Sequence, residues 1–212
     1  MDESLGLLET FGLTPAMVAL DVMEKSAGVR LVQCELNDFL GVVVKIAGTA
    51  AAVATAVEAG RSAAERMGGQ PVAQIIHRPD GRAWDAIQSP PTFNPLIDQP
   101  VVFFPHYEPA LSPEAENRPM SQDYSALGFI ETQGFTAVYE AIDTACKVAN
   151  VEVVGKEKLG GGYICVIVHG DLAAVTAAVE AGKQKVEGLG KLVAAHVVAR
   201  PSPSVLGLLP KG

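Results

Sequence analysis

The sequence of 212 residues is short of charge, of aromatic side chains and of cysteine. Charged residues make up 19% of it and aromatics 6%, with one tryptophan. Low charge beside abundant Ala, Val and Gly excludes a solvating, disordered chain and suits a well-buried α/β body. Basic residues are outnumbered, 16 Lys and Arg against 24 Asp and Glu, which leaves a formal net charge of −8. A generic nucleic-acid binder needs the opposite balance to displace counterions from phosphates. No apolar run reaches the roughly 18 residues of a membrane span. The start, MDESLGLLET, lacks the basic and apolar regions of an export signal.

Reactive constellations are also missing. Cys34, Cys146 and Cys165 form no C-x-x-C pair, and an odd number without an export signal implies reduced thiols. Cys146 and Cys165 are expected to be buried structural thiols. His77, His106, His169 and His196 do not sit at metal-ligand spacing, and there is no H-E-x-x-H. No G-x-S-x-G nucleophile elbow occurs. Gly160-Gly161-Gly162 is not a phosphate cradle, because no Lys-Ser/Thr follows and the next element reads as a strand. It reads as a permissive hairpin turn.

What the sequence does have is a repeat. Residues 5–79 and 127–201 align without a gap, with about 28 of some 75 positions identical. Matched pairs include Gly6/Gly128, Glu9/Glu131, Thr10/Thr132, Asp21/Asp143, Lys25/Lys147, Gly60/Gly182 and Arg78/Arg200. A carboxylate present twice is a poor candidate for a unique acid or base, so Glu9/Glu131 and Asp21/Asp143 are expected to make structural hydrogen bonds.

Hydrophobic spacing gives each copy the order β-α-β-β-α-β. Strands are expected at 5–10, 29–35, 42–47 and 72–77, and at 127–132, 151–158, 163–169 and 192–199. Helices are expected at 15–27, 50–67, 137–149 and 172–189, with Thr14 and Thr136 as N-caps and Pro15 at the first helical position. The fold class is therefore α/β (α+β): two tandem ferredoxin-like units with antiparallel sheets. The expected boundaries are 1–88, a proline-rich linker over 89–124, and 125–212. Within the link, 82–87 is expected to form a helical turn carrying Trp84, and Val101–Phe104 to dock on the body. The apolar tail 205–209 is expected to pack back in the same way as 83–87.

Several stretches together resemble the shell proteins of bacterial microcompartments. They are LGFIET, Lys147 ahead of Ala-Asn-Val, EKLGGGYICVIVHGDL, VEAG and the closing VVARP. Two fused, non-permuted copies resemble the tandem-domain class, which implies a homotrimeric pseudohexamer. It implies a structural role rather than an enzyme, residence in a cytoplasmic shell, lateral contacts with hexameric shell proteins, and small metabolites crossing a central pore. No nucleic-acid or membrane partner is expected.

By position, the family's pore loop falls on Gly160, Gly161 and Gly162 in the second copy. In the first it falls on Asp38, Phe39 and Leu40, preceded by Asn37, a departure from the usual glycines. Glycine amides would give the rim weak anion affinity. Three Asp38 carboxylates would attract cations, and three Phe39 rings could constrict the opening. The family's edge lysine falls on Lys147 and Lys25, and its edge arginine on Arg200 and Arg78.

Some tandem members hold an iron–sulfur cluster through one cysteine per chain. Asp38 stands near that place and Cys34 a strand's length away, so no cluster or other cofactor is expected. On the residues alone two other classes stay open: a small-ligand sensor or enzyme on a duplicated scaffold, and a nucleotide-binding regulatory trimer.

Overall fold

A computed structural model of the chain describes residues 3–37, 41–87 and 124–210. The first repeat runs β1 (Ser4–Phe11), α1 (Leu13–Ser26), β2 (Arg30–Asn37), β3 (Gly41–Gly48), α2 (Ala50–Arg66), β4 (Val72–Ile76) and α3 (Gly81–Ile87). The second runs β5 (Ala126–Gln133), α4 (Phe135–Val148), β6 (Glu152–Gly160), β7 (Tyr163–Gly170), α5 (Leu172–Gln184), β8 (Lys191–Ala199) and α6 (Pro203–Gly207). Each repeat folds as one four-stranded antiparallel sheet, in the orders β2-β3-β1-β4 and β6-β7-β5-β8.

Strand alternation sorts the side chains onto two faces. In β5, Gly128 and Ile130 face the repeat's own helices, and Ile130 joins Ala137 and Ala141 of α4 and Val175 and Val179 of α5 in one cluster. Leu127 and Phe129, which alternate with them, belong instead to the large cluster that includes α1 of the first repeat. Gly6 and Gly128 are glycines because the second helix lies flat on them. A Cβ there would stand 2.7 Å from Val57 and 2.6 Å from Val179 respectively.

The helical turn expected over 82–87 forms as α3, and the tail expected to pack back does so through α6. The tail helix α6 has Ser202 as its N-cap, and its Val205 is fully buried. The proposed docking of Val101–Phe104 lies outside the described residues.

Three expectations are corrected. Thr14 and Thr136 are not N-caps: α1 and α4 begin two residues earlier than expected, after Gly12 and Gly134, and neither N-cap residue makes a side-chain cap bond. Those glycines hold φ of 89° and 127°, an entry that threonine in an extended conformation does not provide. Pro15 is consequently the third helical residue. Helix α5 ends at Gln184 rather than Leu189, because the chain turns through Gly188 at φ 81° before β8. Cys146 is exposed rather than buried, whereas Cys165 is buried as expected. Helical spacing alone could not tell which side of α4 would meet protein.

Candidate functional site

The repeats meet along one seam, and its chemistry begins at α1. The first N–H groups of a helix have no partner within it. Here Glu131, on β5 of the other repeat, supplies both acceptors: Leu13 N and Thr14 N each donate to one carboxylate oxygen at 2.8 Å. Pro15 has no N–H to satisfy. The carboxylate also favours the positive end of the helix dipole.

Glu131 is fully buried, and burial pushes its pKa up even though the Thr14 and Leu13 amides pull it down. Gly12 leaves room for it, since a Cβ there would come 3.1 Å from the carboxylate. Thr14 Oγ1 lies 3.5 Å from Cys165 Sγ at the same place.

Further along α1, Asp21 accepts from Ser202 N at 2.9 Å and from Lys25 Nζ at 2.6 Å, and Lys25 Nζ also donates to Ala199 O at 2.9 Å. Ser204 Oγ donates to Glu24. The seam is therefore head to tail: the first helix of one repeat lies on the sheet and tail of the other.

The sequence pointed to structural hydrogen bonds for the duplicated carboxylates. It did not show that Glu131 and Asp21 make theirs across the two repeats. The signal available was the identical Glu-Thr-x-Gly in both copies.

At one end of this seam the glycine tip of the second repeat meets the end of β1 of the first. Gly160, Gly161 and Gly162 carry φ of 93°, 55° and 84°, a left-handed run that side chains resist. The tip is tied down by Gly134 N, which donates to Gly162 O at 2.9 Å. Tyr163, the first residue of β7, stacks edge-on against Phe11 of the first repeat with ring centroids 5.4 Å apart. Phe11 pairs with Gly41, which follows the other tip. Thus Asn37 and Gly41, the strand ends of the first hairpin, lie at the same end of the molecule as the glycine tip. Asn37 ends β2. Asp38, Phe39 and Leu40 fall outside the described residues.

The four expected edge cations occupy matched places. Lys25 and Lys147 each end the first helix of their repeat and pair with the acid one turn earlier, Asp21 and Asp143. The Lys25 side chain remains 46% exposed despite its seam bonds. Arg78 and Arg200 hold φ of 50° and 47°, so both sheets end in the same left-handed turn. Such a conformation costs a non-glycine residue of order 1 kcal/mol or more and persists where the surroundings fix it.

A recess on the seam is small and mostly apolar, with Glu35 and Glu157 in its wall. It measures about 150 Å³ and includes Leu13, Met17, Cys34, Phe129 and Ile167. That is below the few hundred Å³ usual for a metabolite pocket. Burial, with Glu35 beside it, pushes the Cys34 thiol up to about 12, which leaves it unreactive. No described helix is long and apolar enough to cross a membrane.

The chain is thus a duplicated ferredoxin-like fold with a glycine hairpin tip on its second repeat and a buried polar seam between the repeats. Residues 4–79 and 126–201 each match the BMC domain, and the chain belongs to this family of bacterial microcompartment shell proteins. It is 49% identical over 87 residues to the bacterial microcompartment shell protein PduA of Citrobacter freundii, covering 41% of this chain and 94% of that one. It is 48% identical over 87 residues to the major carboxysome shell protein CsoS1A of Halothiobacillus neapolitanus, covering 41% and 89%. Over nearly its whole length, 98%, it is 32% identical to the carboxysome assembly protein CcmO of Synechococcus elongatus, of which it covers 69%. Membership gives the chain a structural role in a shell rather than an enzymatic one.

Proposed function

We propose that three copies of this chain close into a six-lobed tile of a microcompartment shell in the cytoplasm, with a pore on the threefold axis for small metabolites. The observation that supports it is the head-to-tail seam. A heterologous contact repeats from unit to unit, and it makes a closed ring when the rotation permits. Each chain already contributes two of six such units.

In this reading Gly160, Gly161 and Gly162 alternate around the pore with the segment from Asn37 to Leu40. Glycine tips present backbone N–H groups and weak anion affinity, and the intervening Asp38 carboxylates and Phe39 rings set charge and width. Lys25, Lys147, Arg78 and Arg200 stand at the perimeter, where neighbouring hexameric tiles meet. The linker over 89–124 joins domains at 1–88 and 125–212.

Sedimentation of the full chain tests the reading. Three times the 22.1 kDa chain mass is expected, with incorporation into particles when hexameric shell proteins are present. A monomer at tens of micromolar, left out of such particles, would contradict it.

A further inference from the structure

The two repeats treat one matched carboxylate differently. In the first repeat, Lys45 Nζ donates to Gln33 Oε1 at 2.9 Å, to Glu35 Oε1 at 2.6 Å and to Ile87 O at 2.8 Å. The Lys45 side chain is 12% exposed. One ammonium thus serves a carboxylate, an amide and the last carbonyl of α3.

The matched positions in the second repeat are Gly155, Glu157, Ile167 and Leu209. The backbone is preserved: Gln33 pairs with Lys45 and Gly155 with Ile167, each just after a bulge at the same place in its strand. The carboxylate is kept, but its lysine has become isoleucine. Glu157 is half-buried and has no hydrogen-bond or ion-pair partner among the described residues. Burial raises its pKa, and no cation pulls it down. Lys156 and Lys158 are exposed and alternate to the opposite face, where Lys156 Nζ donates to Tyr139 Oη at 3.1 Å.

Glu157 borders the seam recess of about 150 Å³. Leu13 and Met17 of α1, Phe129 and Ile167 of the second sheet, and Leu208 and Leu209 of the tail form most of its wall. The tail can lie there because Gly155 has no side chain; a Cβ would stand 2.9 Å from Pro210 Cγ. Glu35, the other carboxylate in the wall, is already neutralised by Lys45.

We propose that this recess binds a short-chain primary alkylammonium ion, its ammonium paired with Glu157 as Lys45 Nζ pairs with Glu35, and its alkyl body against Met17, Phe129 and Ile167. The ligand brings the cation that the second repeat lacks. A half-buried carboxylate without a partner carries a desolvation cost, and an ammonium offsets it through charge-assisted hydrogen bonds. The volume sets the length. A recess of roughly this size takes one benzene-sized molecule, so a chain of about three to five carbons fits. An anion of the same size is repelled by Glu157. The wall comes from both repeats of one chain, so the site stands whether or not three chains close into a ring.

Calorimetric titration of the full chain with n-butylammonium chloride tests this. The comparison probes are n-butanol, which has the alkyl body without the charge, and ammonium chloride, which has the charge without the body. n-Butylammonium is expected to bind saturably at one site per chain. Each comparison probe should bind about tenfold or more weakly than it does. Glu157→Gln should weaken n-butylammonium about tenfold or more, with unchanged far-UV circular dichroism. Absence of saturable n-butylammonium binding to the wild type overturns the proposal. So does equal affinity for either comparison probe, or unchanged affinity in a folded Glu157→Gln. The probe comparison uses the wild type alone, so it decides the case even where the variant fails to fold.

Discussion

Replacing Glu131 with alanine is expected to destabilise the chain by about 3 kcal/mol. The cause is local and countable. Leu13 N and Thr14 N are left inside a dry seam without acceptors, and each such group costs about 1–3 kcal/mol. Relief from burying a charge returns part of that, because desolvation is the largest influence on Glu131 and raises its pKa. For a chain of this size the melting temperature should fall on the order of 10 °C, read by calorimetry. Glu131→Gln keeps one acceptor and should cost about half as much.

The pH dependence has a definite sign. The folded state holds the Glu131 proton more tightly than the unfolded chain, whose value lies near 4.5. Its contribution is therefore full below that value and declines as pH rises through the raised folded pKa. The stability difference between wild type and Glu131→Gln should shrink over that interval. A difference that grows with pH would show that the capping amides outweigh burial at Glu131, and an unchanged melting temperature in Glu131→Ala would show that the carboxylate does not cap α1.

The second large effect runs against helix propensity. Gly182 lies inside α5, and alanine there would ordinarily stabilise a helix by up to about 1 kcal/mol. A Cβ at Gly182 would sit 2.6 Å from Ile130 Cδ1 and 2.8 Å from Ala141 O. The isoleucine tip can move, but the α4 carbonyl cannot move without the helix. Overpacking of this kind costs about 1–3 kcal/mol, so Gly182→Ala should be net destabilising by about 2 kcal/mol. Gly60→Ala, at the matched position, should cost less. Its nearest neighbours are Met23 Cγ and Sδ at 2.5 and 2.7 Å, part of an adaptable side chain. Equal losses in chemical denaturation, or a gain for Gly182→Ala, would contradict this packing.

The fold was legible because its signals are local and doubled. Apolar runs such as YICVIV, Ala-rich helices and Arg-Pro stops recur in register, so each repeat corroborates the other. Helix entry was less legible. Thr14 carries a favourable capping side chain in sequence, but Gly12 and a carboxylate 117 residues away do the work in the structure. No local rule reports a cap that arrives from another lobe.

The exposure of Cys146 was missed for a related reason: one face of α4 is apolar without being covered inside the chain. At the candidate site, the glycine tip was readable from its composition and the basic pairs from their repetition. That the strand ends of the first hairpin share the glycine tip's end of the molecule was not, since it follows from the Phe11–Tyr163 contact and the Glu131 clamp between repeats.

The central claim is that hairpin tips from different copies surround a common axis. Dipolar distance measurement on Lys158→Cys in a Cys146→Ser background tests it most directly, because Lys158 is exposed beside the glycine tip and the other two thiols are wholly or partly buried. Three equivalent spin labels around one axis predict a single narrow distance distribution with three-spin modulation depth. The absence of coupling between chains, or a broad distribution at the two-spin depth of a dimer, would contradict it.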